Sequence, residues 1–238
     1  MQALLYGKFA NEIGELVNSL GFEIVKQNPD VIICYGGDGT LLSAERNFPG
    51  LPKLPIRNSK VCIKCLNHDE KTILTKLREG KLKLKEYGKI EGNFLGETIL
   101  AINDIVIRNK EPIHAIRFEV LKQGLAINGQ LIIGDGIVVS TPFGSTGYFK
   151  SITRKTFGKD FGLAFNNPTE PIEPVFFDQK DKFIFKLIRG LTNLSFDNGH
   201  SIYTIPEGEE VLFHLSEKCA QIYELESLRC PDCKRTLR

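Results

Sequence analysis

Apolar positions along the chain fall into two rhythms. A short apolar run at 3–6 is followed by Ile13, Leu16, Val17 and Leu20 at helical spacing, with Glu12 ahead of them and Gly21 as the stop. Residues 22–25 predict a second strand. The run Val31-Ile32-Ile33-Cys34 is apolar without a break, as a strand covered on both faces of a sheet should be. A helix is expected over 40–48, ended by Pro49-Gly50. Strand and helix in alternation predict a parallel, Rossmann-like sheet. From about Phe94 the rhythm changes to short segments rich in β-branched residues, at 99–108, 116–122, 125–127, 130–133 and 137–140. Asn128-Gly129 and Gly134-Asp135-Gly136 are the turn signals between them. Segments 183–188, 194–196 and 211–215 continue the same pattern. The expected fold class is α/β plus all-β, with a Rossmann-like N-terminal domain over 1–92 and a β-rich, sandwich-like domain over 93–216.

The 238 residues, 42% apolar and 25% charged, are enough to bury a sizeable core. A formal charge of +2 and the absence of any run of five like charges give no support to nucleic-acid or polybasic membrane binding. No apolar segment reaches the roughly 18 residues that would span a bilayer. The first ten residues lack the pattern of a signal peptide, so a cytoplasmic protein is expected. A reducing compartment argues against disulfides among the six cysteines.

Gly36-Gly37-Asp38-Gly39-Thr40 follows the apolar strand and opens the predicted helix. Glycines there allow positive φ and close approach of backbone to a ligand. Helix-start N–H groups with the helix dipole favour a phosphate. A carboxylate in that place is electrostatically odd unless it takes a proton from an attacking hydroxyl or helps hold Mg²⁺. The alternative is a plain strand–helix turn that Asp38 caps. No Gly-Lys-Ser/Thr follows, so this is not a Walker A loop.

A second block narrows the reading. Asn103-Asp104 follows an apolar strand, and residues 134–148 read Gly-Asp-Gly-Ile-Val-Val-Ser-Thr-Pro-Phe-Gly-Ser-Thr-Gly-Tyr. Taken alone, Asn103-Asp104 suits a turn or cap, and the loop suits a hairpin connection. Its hydroxyls at Ser140, Thr141, Ser145 and Thr146, with Tyr148, also suit a base and ribose better than a polyphosphate. Both blocks together, in this order, resemble the signature of the NAD kinase family, over most of the chain. Asp104 stands where that family usually has glutamate and Gly147 where it has alanine, and 149–155 departs from its usual continuation.

The resemblance implies phosphorylation of the 2′-hydroxyl of the adenosine ribose of NAD, giving NADP, with ATP and a divalent metal (Mg²⁺) or inorganic polyphosphate as donor. It makes Asp38 the catalytic residue and Gly36, Gly37, Gly39 and Thr40 the donor-phosphate loop. It assigns Asn103, Asp104, Asp135, Ser140, Thr141, Thr146 and Tyr148 to NAD binding, and it implies a homo-oligomer. His200 is a candidate contact or a surface turn. The other readings are a kinase of the same fold acting on a lipid or sugar hydroxyl, and a nucleotide-binding regulatory module with little turnover.

Cys62-Ile63-Lys64-Cys65 and Cys230-Pro231-Asp232-Cys233 supply four thiolates, a set that suits structural tetrahedral zinc. The separation of the pairs excludes a compact zinc finger. The family's tail, here 217–238, returns to the first domain, which would let both pairs meet there. Free thiols and a redox pair are the alternatives. Cys34 reads as core, Cys219 as an ordinary strand residue and His68 as a surface residue.

Overall fold

A computed structural model describes residues 1–58, 69–127, 129 and 131–224. Both cysteine pairs and His68 lie outside them. The chain divides into two compact units, Met1–Tyr87 with Cys219–Arg238, and Gly88–Lys218.

The first unit is a parallel sheet with helices. Its strands are β1 (Gln2–Tyr6), β2 (Glu23–Ile24), β3 (Val31–Gly36) and β4 (Lys53–Arg57), and the helices are α1 (Gly14–Ser19), α2 (Asp38–Asn47) and α3 (Glu70–Arg78). The order is β2-β1-β3-β4, every pairing parallel. β3 is central, and Val31 through Tyr35 are all buried, which accounts for its unbroken apolar run. The bounds of α3 were not delimited in the sequence reading. Its N-cap Asp69 accepts the Thr72 N–H at 2.9 Å, and Ile73, Leu74 and Leu77 form its buried stripe.

β5 (Lys83–Phe94) leads into the second unit, where Ile90–Phe94 of it pair with β6 (Glu97–Ala101) across a turn with positive φ at Leu95 and Gly96. There follow β7 (Asp104–Asn109), β8 (Ile116–Lys122), β9 (Leu125–Ala126), β10 (Ile132–Gly134), β11 (Gly136–Ser140), α4 (Tyr148–Thr153), β12 (Phe161–Asn166), β13 (Val175–Phe177), β14 (Lys182–Arg189), β15 (Thr192–Phe196), β16 (Tyr203–Ile205) and β17 (Glu210–Glu224). One antiparallel sheet runs β13-β12-β11-β7-β15-β16, and β10-β8-β14-β17 are successive strands of the other sheet, whose order goes on from β17 to β4. Their facing apolar sides make the core, with Phe161, Phe177, Phe183 and Phe213 stacked at successive centroid distances of 5.0, 4.6 and 5.1 Å. Phe149 of α4 covers the opposite face over Val106, Val138 and Ala164. That double cover explains why all five residues of β11 are buried. The mixture of a parallel α/β sheet and a β-sandwich is the expected fold class.

β17 is longer than the predicted 211–215. Its first part pairs antiparallel with β14, and Ile222 pairs parallel with Lys53 of β4. The stretch 99–108, expected as one strand, is two. β6 ends at Ala101 and β7 starts at Asp104, in different sheets, because the backbone N–H groups of Ile102 and Asn103 turn to a side chain instead of a neighbouring strand.

Candidate active site

In the first unit the residues singled out lie at the C-terminal ends of the parallel strands, where α/β sheets take ligands. Gly36 ends β3, Gly37 is the N-cap of α2, and Asp38 is its first residue. Asp38 is therefore not the cap. Gly37 has no side chain to cap with, and its carbonyl accepts the N–H groups of Thr40 at 3.0 Å and Leu41 at 3.3 Å. The acid stands in the first turn of the helix, half-buried, where the dipole favours a negative charge.

The expectation that these glycines supply positive φ is corrected. None of Gly36, Gly37 and Gly39 lies in the left-handed region. What Gly36 supplies is space, because a Cβ there would run into the Thr40 hydroxyl. Positive φ occurs instead at Gly7, immediately after β1, where a side chain would meet the Tyr35 carbonyl. Asn58, after β4, donates its N–H to the Gly36 carbonyl at 3.0 Å.

Leu5, Tyr6, Gly7, Lys8, Gly39, Thr40 and Ser43 line a cleft of about 500 Å³ at this edge. The Tyr6 hydroxyl sits 2.7 Å from Ser43 Oγ and accepts from Asn47 Nδ2 at 2.7 Å, which ties β1 to α2. Lys8 is exposed at the rim, its Nζ 5.2 Å from the centre of the Phe9 ring. Sequence reasoning missed Gly7, Lys8 and Ser43. The signal that finds Gly7 and Lys8 is their place straight after a parallel strand.

In the second unit, Asn103 and Asp104 lie beside the loop after β11, since Asp104 pairs with Ser140 in register. Asn103 Nδ2 donates to Asp104 Oδ2 at 3.0 Å, and the Asn103 carbonyl accepts the Thr141 N–H at 3.1 Å. Three of the loop hydroxyls point inward. Ser140 Oγ donates to the Asn103 and Thr141 carbonyls, Thr141 Oγ1 to the Ile102 carbonyl at 2.5 Å, and Ser145 Oγ to the Pro142 and Phe157 carbonyls. Their protons are committed to the backbone, so these residues set the loop's shape. Thr146 and Tyr148 are half-buried, with Tyr148 packed beside the Phe149 cluster. Gly144 is required by contact, because a Cβ would strike the Asn103 carbonyl oxygen.

Asp135 is not brought to this group. It precedes β11 while Ser140 ends it, a separation of about 17 Å along the strand. Its carboxylate takes Asn109 Nδ2 at 3.4 Å and Asn167 Nδ2 at 3.3 Å, with Arg108 at 4.0 Å. His200 lies on an exposed bend. Asp197, which the sequence did not single out, accepts three backbone N–H groups at the Asn103-Asp104 corner. Cys34 is buried in β3, where burial pushes its thiol up to about 12, and Cys219 is a partly exposed residue of β17. Among the described residues no group of three or more His, Cys, Asp or Glu side chains could hold a metal ion, and no helix is long and apolar enough to cross a membrane.

No family model matches the chain. Curated relatives do. The NAD kinase of Sulfurisphaera tokodaii is 28% identical over 234 residues, covering 93% of this chain and 91% of that one. The NAD kinase of Saccharolobus islandicus is 27% identical over 225 residues, covering 89% and 86%. Among solved structures, an NAD kinase from Archaeoglobus fulgidus in complex with ATP has a TM-score of 0.80 at 20% identity, covering 96% of each chain, a likeness of fold. The glycine turn on a parallel sheet, followed along the chain by an antiparallel β unit, is the setting in which these likenesses stand. Over most of its length the chain is similar to NAD kinases.

Proposed function

We propose that the protein phosphorylates the 2′-hydroxyl of the adenosine ribose of NAD, with ATP or inorganic polyphosphate as donor, giving NADP. The observation that carries this reading is a carboxylate, Asp38, in the first turn of a helix that opens from a glycine turn at the sheet's C-terminal edge. A transfer of this kind is mainly positioning and charge stabilisation, with one group to take the hydroxyl proton. Asp38 is that group, and the N–H groups at the start of α2 hold donor phosphate oxygens. In the second unit, Asn103, Asp104, Thr146 and Tyr148 receive the adenosine end, on a loop shaped by Ser140, Thr141 and Ser145. Asp135 binds the dinucleotide only if its part differs from theirs, given its place at the other end of β11.

In the alternative to taking the proton, Asp38 together with substrate phosphates would hold Mg²⁺, a donor set of one or two carboxylates plus phosphates being usual for that ion. Bound there, the ion would supply positive charge against the transferring phosphoryl group. Cys62, Cys65, Cys230 and Cys233 are proposed, on sequence alone, to hold structural zinc, tested by metal content of the purified protein before and after chelation.

The deciding experiment incubates purified protein with NAD and either MgATP or polyphosphate and measures NADP. Asp38→Asn is expected to lower turnover by roughly 10²–10⁴-fold. No NADP from wild-type protein with either donor overturns the proposal.

A further inference from the structure

We infer that Asp197 is a positioning residue for the acceptor side of the reaction, its carboxylate fixing the backbone that presents Asn103 and Asp104. The inference rests on the NAD kinase reading above. Asp197 follows β15 in a turn where both it and Asn198 have positive φ, at 47° and 52°. It is 1% exposed. Oδ2 accepts the Ile102 N–H at 2.9 Å, and Oδ1 accepts those of Asn103 at 2.7 Å and Asp104 at 3.3 Å. The Asp197 N–H returns a bond to the Asp104 carbonyl at 3.1 Å.

Three successive N–H groups converging on one anion form a nest, and bonds to a charged acceptor are roughly twice as strong as neutral ones. Those of Ile102 and Asn103 are made where the chain has left β6 and not yet joined β7, and that of Asp104 at the first residue of β7. The same peptide accepts the Thr141 N–H and the Ser140 hydroxyl through the Asn103 carbonyl. Asp197 thus sets the height and tilt of Asn103-Asp104, and through Asn103 the start of the 141–148 loop. An amide in its place turns an NH₂ donor toward N–H donors, so Asp197→Asn breaks the arrangement while nearly keeping its volume.

Wild-type turnover is measured first. In Asp197→Asn the KM for NAD is expected to rise about tenfold or more, the scale on which small misplacements act, with the KM for ATP within about twofold. Amide exchange of Ile102, Asn103 and Asp104 is expected to accelerate while β3 keeps its protection. An unchanged KM for NAD, amides that stay protected, or equal changes in both KM values overturn the inference. If wild-type protein makes no NADP, the kinase reading fails separately, and weaker NAD binding by the variant then decides for Asp197, unchanged binding against it. If the variant does not fold, NAD titration of wild-type protein is expected to move the Ile102, Asn103 and Asp104 amide resonances, and resonances that do not move reject the assignment.

Discussion

Lys53 and Glu45 form an ion pair that water does not reach, the two side chains being 0% and 3% exposed. The Lys53 ammonium also donates to the Phe48 carbonyl at 2.5 Å, so the first residue of β4 anchors the end of α2. A buried pair contributes little over an apolar one, but removing one partner strands the other charge. Glu45→Gln is therefore expected to lower unfolding free energy by about 3–5 kcal/mol. The double variant Lys53→Met with Glu45→Leu should recover most of that. Urea unfolding checks both, and a double variant as unstable as the single one contradicts the account.

Gly36→Ala places a methyl against the Thr40 side chain. The turn must shift, at a cost of about 1–3 kcal/mol in stability. Turnover should fall by at least tenfold, since Asp38 rides on that turn. Kinetics on protein shown to be folded by circular dichroism will tell, and unchanged turnover counts against the turn's role.

Burial raises the Cys34 thiol to about 12, with the Lys53 charge opposing and Glu45 adding to the effect. The thiolate is the reactive form. Mass-mapped alkylation of native protein at pH 8 should leave Cys34 unmodified until denaturant is added. Early labelling at Cys34 would show that β3 opens.

Burial pushes the Glu91 carboxyl up, but hydrogen bonds from Asn93 and Ser216 and the charges of His214 and Lys218 outweigh it, so its pKa lies below the ordinary carboxylate value. The unfolded chain then binds this proton more readily than the folded protein. Stability from Glu91 is fully present above the ordinary carboxylate pKa and is lost as pH falls through the lowered folded value. Ser216→Ala, which removes a 2.8 Å bond, should cost about 1 kcal/mol near neutral pH and progressively less in acid. Unfolding curves from pH 7 downward measure the gap, and a constant gap refutes the linkage.

Much of the scaffold was legible because burial leaves a periodic mark. The unbroken apolar run of β3 identified a central strand, and the glycines after it marked the turn. The break at Ile102-Asn103 was not legible, since the acceptor for those amides, Asp197, is more than ninety residues away in sequence. One reason given for the glycines, left-handed backbone, does not hold at this turn, whereas Gly36 is needed for space. The backbone bonds of the Ser140, Thr141 and Ser145 hydroxyls were not legible, because composition does not say which way a hydroxyl points. The place of Asp135 required the register of β7 and β11, which no single-strand pattern carries.

β17 has a consequence for the order of assembly. Its first residues zip onto β14, a close neighbour in sequence, whereas Ile222 must find Lys53, synthesised long before. Loop-closure entropy makes such late, distant pairing slow. A nascent chain thus carries β4 paired to β3 on one flank, with the other waiting for the far end of β17.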